Sequence, residues 1–238
     1  MTTQTKQSFW KGVRQGLPIA LGYLPVSFSI GILAVKSGLS VSAAVAISMT
    51  NLTSAGQAAG IGVIAAGGSY LELALTQLCI NLRYTLMGLS LSQKLDNSFQ
   101  HMIHRFLTAF GITDEIFAVA ISQDGQISAP YLYGLISLPF VGWSVGTLLG
   151  AAAGEILPKL LTDALGIALY GMFFAIFIPP MRKHKSIVFA VLVAAGCSML
   201  CKYALPFLSS GFAIILCGVL TAALCAWLFP RKSTEQEG

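Results

Sequence analysis

Eight long apolar runs restrict the fold of this chain more than any other feature of its sequence. Most of them approach the roughly 20 residues that a helix needs to cross a bilayer. Only 14 basic and 9 acidic residues are spread over 238 positions, whereas a soluble surface normally has about a quarter charged residues. The runs are approximately 16–35, 41–66, 71–91, 106–122, 130–153, 164–179, 186–203 and 212–229.

The runs predict an all-α, polytopic integral membrane protein with about six to eight membrane helices, some of them interrupted or re-entrant. We expect a cytoplasmic segment at 1–15, a single transmembrane permease domain at 16–230 and a cytoplasmic tail at 231–238. The net charge of +5 comes from short basic clusters between apolar runs. This distribution suits the loops of a multi-pass protein of the cell membrane better than a nucleic-acid surface.

Basic residues favour cytosolic termini but leave the topology open. If all eight runs cross, eight lysines and arginines lie inside and five outside; if the third and fourth runs are both re-entrant, Lys94 and Arg105 move inside and the counts become ten and three. Charge favours the second model. The length of run 71–91, about 31 Å as a helix, favours the first. A seven-span model conflicts with one of the terminal basic clusters.

One enzyme motif is matched but lacks its context. The segment from Gly142 to Gly146 fits the Gly-x-Ser-x-Gly pattern around a nucleophilic Ser144, yet it lies inside an apolar run and the three histidines fall in loops. Glycines at every fourth position, Gly142, Gly146, Gly150 and Gly154, instead predict a groove for close helix packing. We therefore predict a protein that is not an enzyme, with an intramembrane serine hydrolase using Ser144 as the alternative.

No cofactor and no metal site are predicted. All five cysteines lie inside apolar runs, none of them in a Cys-x-x-Cys pair, and they are typical of small buried hydrophobic residues. The chain has no Walker motif, which excludes ATP hydrolysis by this chain.

Charged residues inside apolar runs are the strongest functional signal, because an uncompensated charge there costs about 2.5 to 3.5 kcal/mol even on insertion scales. Arg83 lies near the middle of the third run beside Asn81, and Gln77 lies one turn before Asn81. Asp114 and Glu115 interrupt the fourth run, where Thr113 is a candidate cap for a half-helix. Two plainer interpretations stay open: a buried acid neutralises Arg83 without substrate contact, and the two acids are ordinary helix-start residues.

A third polar cluster interrupts the second run and includes Asn51, Ser54 and Gln57. So many hydroxyls and amides around Gly56 favour an unwound or water-lined segment, the alternative being hydrogen bonding between helices. The three clusters, with kinks at proline in the first run, describe a cavity for a small zwitterion and hence a secondary transporter. The predicted substrate-binding residues are Arg83, Asn81, Gln57, Ser54 and Asn51, and the predicted proton-coupling residues are Asp114 and Glu115.

Five short motifs occur in an order and spacing that resembles the AzlC family, the large subunit of branched-chain amino acid exporters. They are Leu24-Pro25 with Gly31, Ser48, Ala55-Gly56-Gln57, Asn81-Leu82-Arg83 with Gly88 and Ser90, and Thr113-Asp114-Glu115 with Phe117. The likeness covers about residues 12 to 180. Where many members carry an aromatic-Ala-Gly stretch before the glutamine, this chain has Leu52-Thr53-Ser54.

The resemblance implies export of leucine, isoleucine and valine, driven by the proton motive force. It also implies a small membrane partner similar to AzlD, and a lipid bilayer as the surroundings. A non-transporting assembly or receptor subunit is a further alternative.

Overall fold

The computed structural model describes residues 3–156 and 185–229, together with Phe174, Ile178, Met181 and Arg182. Across these residues the backbone is helical and forms no strand, which confirms the predicted all-α class. Almost all of the predicted run 164–179, and the predicted tail 231–238, lie outside the described residues.

The ranges 3–156 and 185–229 form nine α-helices and one 3-10 turn. Four of these helices, α1, α7, α8 and α9, are long and apolar enough to cross a membrane. This count, which covers the described residues only, does not confirm the predicted six to eight. The helices are α1 (Thr3–Lys36), α2 (Val41–Thr50), α3 (Ser54–Ala65), α4 (Tyr70–Ser92), α5 (Met102–Phe110), α6 (Asp114–Ile121), α7 (Ala129–Ile156), α8 (Lys185–Ala204) and α9 (Ser210–Leu228), with the turn at Asn97–Phe99.

A serine or threonine side chain caps the N-terminus of four of the described helices. The residue before the first turn accepts a hydrogen bond from the backbone N–H three positions later, which satisfies one of the orphan donors of the helix start. This holds for Ser40 before α2, Thr53 before α3, Ser69 before α4 and Thr113 before α6. The predicted cap at Thr113 is thus confirmed, with both acids in the first turn of α6.

The glycine stripe of α7 packs against α1. A Cβ at Gly142 would lie 2.8 Å from the carbonyl oxygen of Ala20, and one at Gly146 would lie 2.5 Å from that of Leu24. A Cβ at Gly150 would overlap the carbonyl of Phe28. The contacts advance together along both helices, so α1 and α7 are parallel, and the predicted packing groove is confirmed.

We expect Gly150→Leu to lower the amount of folded protein in the membrane sharply, because the added side chain forces the two helix backbones apart and overpacking costs about 1 to 3 kcal/mol or more. The matched control is Gly196→Leu on α8, where a Cβ meets nothing within 4 Å. Fluorescence-detected gel filtration of detergent extracts measures the yield. Normal yield with altered substrate preference would instead place this stripe on the transport pathway.

Helices α2 and α3 form a first re-entrant hairpin. Helix α2 follows the end of α1 and passes Thr147 of α7, whose hydroxyl lies 2.7 Å from that of Ser48. Helix α3 then runs antiparallel to α4, because Gly56 lies beside Asn81 and Gly60 beside Gln77 and Leu73 of α4. The chain therefore enters from the end at which α1 finishes, turns at 51–53 in the middle of the bundle and returns.

Helices α5 and α6 form a second hairpin that enters from the opposite end. Helix α5 runs parallel to α7, with His104 bonded to Tyr133 at 2.7 Å and Phe110 packed on Phe140. Helix α6 returns alongside α4, and Lys94 Nζ donates to the carbonyl of Ile121 at 2.8 Å. The tips of the two hairpins, 51–53 and 111–113, meet near the middle of the bundle.

This arrangement corrects both topologies left open by the sequence. The second and fourth runs are re-entrant, whereas the third, α4, passes from end to end. Lys94 and Arg105 accordingly lie at the end where α1 begins, as the charge distribution favoured. Of the nine lysines and arginines in 3–156 and 185–229, this end holds six (Lys6, Lys11, Arg14, Lys94, Arg105, Lys185), the other end holds Lys36 and Lys202, and Arg83 lies between.

A buried acid on α4 binds the start of α9, and α9 in turn packs against α8. Glu72 Oε1 accepts hydrogen bonds from Ser209 Oγ at 2.5 Å and from the backbone N–H of Gly211 at 2.9 Å. The sulfur atoms of Cys201 and Cys217, 3.9 Å apart, mark the antiparallel contact between α8 and α9. The carboxylate thus supplies the start of α9 with an acceptor, where negative charge is favoured.

Candidate functional site

A cavity of about 750 Å³ lies where the two hairpin tips meet α1, α4 and α7. Its volume is within the usual range for small-molecule sites, roughly 300 to 1,000 Å³. The wall combines charged, hydroxyl and apolar groups. The lining residues are Pro18, Ile19, Gly22, Tyr23, Val26, Leu52, Thr53, Ser54, Ala55, Ile80, Arg83, Tyr84, Thr113, Asp114, Glu115 and Trp143.

Arg83 and Asp114 form an ion pair across this cavity. Arg83 Nη1 lies 2.5 Å from Asp114 Oδ2, and the two side chains are 45% and 47% exposed. The guanidinium also lies over the ring of Tyr84, 5.0 Å from its centroid. In this conformation Asp114 therefore neutralises Arg83, while both groups remain open to the cavity.

Glu115 has a different partner, the hydroxyl of Tyr23. Tyr23 Oη lies 2.6 Å from Glu115 Oε2 and 2.5 Å from Thr113 Oγ1. Tyr23 is only 8% exposed, and its ring packs edge-on against Trp143 at 5.2 Å. The two neighbouring acids of α6 thus point to two different helices, Asp114 to α4 and Glu115 to α1.

Gln57, predicted to bind substrate, lies behind the cavity wall. It is 1% exposed, accepts a hydrogen bond from Trp143 Nε1 at 2.9 Å and donates to Ser48 Oγ at 2.9 Å. Ser48 in turn bonds to Thr147. This chain of hydrogen bonds ties the first hairpin to α7 and holds the Trp143 ring in the wall.

Asn51 and Asn81 also lie outside the lining residues. Both donate to the side-chain oxygen of Gln77, at 3.4 and 3.1 Å, and Gln77 donates to the carbonyl of Gly56 at 2.7 Å. Asn81 also accepts from the hydroxyl of Thr53 at 3.1 Å. The amides therefore connect the start of α3 to α4. The break between α2 and α3 beside them confirms the predicted unwound segment.

The two half-helices that start at the cavity differ in charge. Helix α6 carries two acids in its first turn, whereas α3 carries none. Thr53 Oγ1 accepts the N–H of Gly56, and Ser54 and Ala55 line the cavity. The start of α3 therefore presents positive helix-dipole charge and N–H groups that no acid of its own first turn offsets.

The sequence prediction missed three aromatic residues of the site, Tyr23, Tyr84 and Trp143. Their rings count as apolar inside an apolar run, so they did not stand out as functional residues. For Tyr23 the available signal was its position two residues before Pro25, and Trp143 lies within the Gly-x-Ser-x-Gly segment. Ser144 itself donates to the carbonyl of Phe140 in its own helix at 2.9 Å.

The sequence of this chain matches the model of a known protein family. The model described as AzlC protein matches residues 18–157, more than half of the chain. The chain belongs to the AzlC family. The matched segment begins at Pro18 on the cavity wall and ends just after α7, so it contains both hairpins and every lining residue. Helices α8 and α9 lie outside it.

Relatives of this AzlC-family chain are membrane proteins. It is 28% identical over 227 residues to the inner membrane protein YgaZ of Escherichia coli (strain K12), covering 92% of this chain and 91% of the relative. It is 31% identical over 176 residues to an uncharacterized membrane protein of Archaeoglobus fulgidus, covering 73% and 76%. No solved structure matches the chain. The family and the apolar helices together identify a multi-pass membrane protein that lies in a lipid bilayer.

Proposed function

We propose that this protein is a secondary transporter that exports hydrophobic amino acids of the branched-chain class, leucine, isoleucine and valine. The observation that carries the proposal is the cavity between the two hairpin tips. It places a cation, two acids and a half-helix start beside an apolar wall, which is the set of groups that a hydrophobic zwitterion requires. Membership of the AzlC family supports a transport role.

Each part of the substrate has a place in this cavity. The carboxylate lies between the Arg83 guanidinium and the start of α3, where positive charge and N–H groups converge. The ammonium group lies towards the backbone carbonyls of the break at 51–53, where Leu52 and Thr53 line the cavity. The aliphatic side chain packs on the apolar wall, to which Ile19, Val26, Leu52 and Ile80 contribute.

The energy source that we propose is the proton gradient. The sequence carries no Walker motif, and the cavity holds Asp114 and Glu115, whose carboxylates are able to take up and release protons. An acid exposed to both substrate and solvent links occupancy of the site to protonation. We assign no catalytic residue, so the protein acts as a transporter and not as an enzyme.

The cell membrane is the proposed location, with a small AzlD-like protein as the partner. The end of the bundle at which α1 begins carries the larger share of lysines and arginines and therefore faces the cytosol by the positive-inside rule. Both the partner and this orientation rest on the family resemblance and the charge distribution.

Counterflow in proteoliposomes tests the proposal. Vesicles loaded with unlabelled leucine are expected to accumulate labelled leucine, isoleucine and valine, and not labelled glutamate or lysine, because a second charge has no partner on the apolar wall. The assay is run with and without a co-reconstituted small partner. Absence of counterflow in both preparations would contradict a transport role.

The same preparations separate the hydrolase alternative. A fluorophosphonate probe reacts covalently with an activated serine, so we expect no labelling of Ser144, whose hydroxyl is bonded within its own helix. Labelling that is lost in Ser144→Ala would favour the hydrolase.

A further inference from the structure

We propose that Glu115 is the acid that exchanges protons during transport, and that Tyr23 is the positioning residue that holds it in both protonation states. This inference rests on the proposed function, since it assigns the coupling step of the same transporter. It also assigns Asp114 a different role, as the counter-ion of Arg83.

The first argument is the pair of short contacts around one hydroxyl. Tyr23 Oη is within 2.6 Å of Glu115 Oε2 and 2.5 Å of Thr113 Oγ1, yet a phenol carries a single proton. When Glu115 is charged, Tyr23 Oη donates its proton to Glu115 Oε2. When Glu115 is protonated, Glu115 donates to Tyr23, and the phenol O–H turns to its second acceptor, Thr113 Oγ1. Turning one O–H bond thus accommodates the added proton without moving a heavy atom.

The second argument is the contrast with Asp114. Its carboxylate pairs with Arg83 at 2.5 Å, so protonating Asp114 breaks an ion pair and leaves the guanidinium without its counter-charge. Protonating Glu115 leaves every partner of the carboxyl in place. Among the described residues, protonation of Asp114 therefore breaks an ion pair, whereas protonation of Glu115 breaks none.

The third argument is the rigidity of Tyr23. The residue is 8% exposed, and its ring packs against Trp143, which is itself fixed by Gln57. The other titratable groups that face the cavity are Arg83 and Tyr84 from α4 and Asp114 from α6, whereas α3 and α7 contribute none among their lining residues. A fixed hydroxyl keeps Glu115 turned towards α1 and away from the Arg83 guanidinium.

Tyr23→Phe tests this assignment because it removes the hydroxyl and keeps the packed ring. We expect efflux driven by an imposed pH gradient to fall about tenfold, the size of a lost hydrogen bond to a charged group. Counterflow exchange of leucine should remain close to that of the unmodified protein, and the dependence of efflux on pH should shift. The matched control is Tyr131→Phe, another buried tyrosine, whose hydroxyl bonds to Gln15 at 2.6 Å away from the cavity.

Variants of the two acids complete the test. Glu115→Gln should abolish the response to the pH gradient and keep exchange, and adding Tyr23→Phe to it should cause no further loss, since the two residues act as one unit. Asp114→Asn should keep the response to the pH gradient. The assignment is overturned if gradient-driven efflux by Tyr23→Phe equals that by Tyr131→Phe, or if Tyr23→Phe lowers leucine exchange as much as it lowers gradient-driven efflux. It is also overturned if Asp114→Asn alone loses the response to the pH gradient. Failure of the unmodified protein to exchange leucine at all would instead overturn the proposed function.

Discussion

Arg83→Ala is expected to abolish amino acid efflux while the protein still inserts in the membrane. Among the described residues that line the cavity, Arg83 is the only cation. A hydrogen bond to a charged group is worth about 1.5 to 3 kcal/mol, roughly a factor of 10 to 100 in affinity. Arg83→Lys should restore little transport, because an ammonium group cannot hold a carboxylate through two parallel N–H groups. Counterflow of labelled leucine at matched protein levels measures both effects.

A double variant separates substrate binding from simple charge neutralisation. If the one role of Arg83 were to neutralise Asp114, combining Arg83→Ala with Asp114→Asn would remove both charges and restore transport. If Arg83 binds the substrate carboxylate, the double variant stays inactive. Full transport by Arg83→Ala alone would remove Arg83 from the site.

Sequence reasoning located the interruptions of the helices because they depend on local chemistry. Thr53 and Thr113 are caps that lie next to their helices, and the polar cluster after Thr50 competes with helical hydrogen bonds within a few residues. The glycine stripe of α7 was visible for the same reason, since its period is that of one helix face. Each of these signals is complete within about ten residues.

The path of the chain through the bundle was not visible in the same way. Run 41–66 is long enough to cross a bilayer, and its length is the same whether it continues straight or turns back at 51–53. The choice depends on α4 and α7, which receive the polar groups of the break. The charge counts favour two re-entrant runs and assign them to the third and fourth, whereas the structure has the second and fourth runs turning back.

The positions of the predicted site residues relative to the cavity differ most from expectation for the neutral amides. Arg83 and both acids lie at the cavity as expected, because a charge inside an apolar run is costly unless it faces a polar cavity or a partner. Gln57, Asn51 and Asn81 satisfy one another, the backbone and Trp143, and polar side chains of this kind serve equally well as supports and as ligands. Only their distances distinguish the two roles.

The difference in charge between the two half-helix starts leads to the second large effect. Asp114 and Glu115 occupy the start of α6, whereas Ser54 and Ala55 leave the start of α3 without a carboxylate. We expect Ser54→Asp to place a carboxylate where that of the substrate binds. An acid in a first turn stabilises a helix by roughly 0.3 to 1 kcal/mol, so the variant should fold and insert normally while transport falls by a factor of ten or more.

Ser54→Asn is the matched control, because asparagine has nearly the shape of aspartate and no charge. We expect it to keep most of the transport of the unmodified protein. The second measurement is thermal stability in detergent: added leucine should raise the melting temperature of the unmodified protein and of Ser54→Asn, since a ligand that binds the folded state stabilises it, and should leave that of Ser54→Asp unchanged. Equal stabilisation of both variants by leucine would place the substrate carboxylate away from α3 and leave Arg83 as its sole partner of opposite charge.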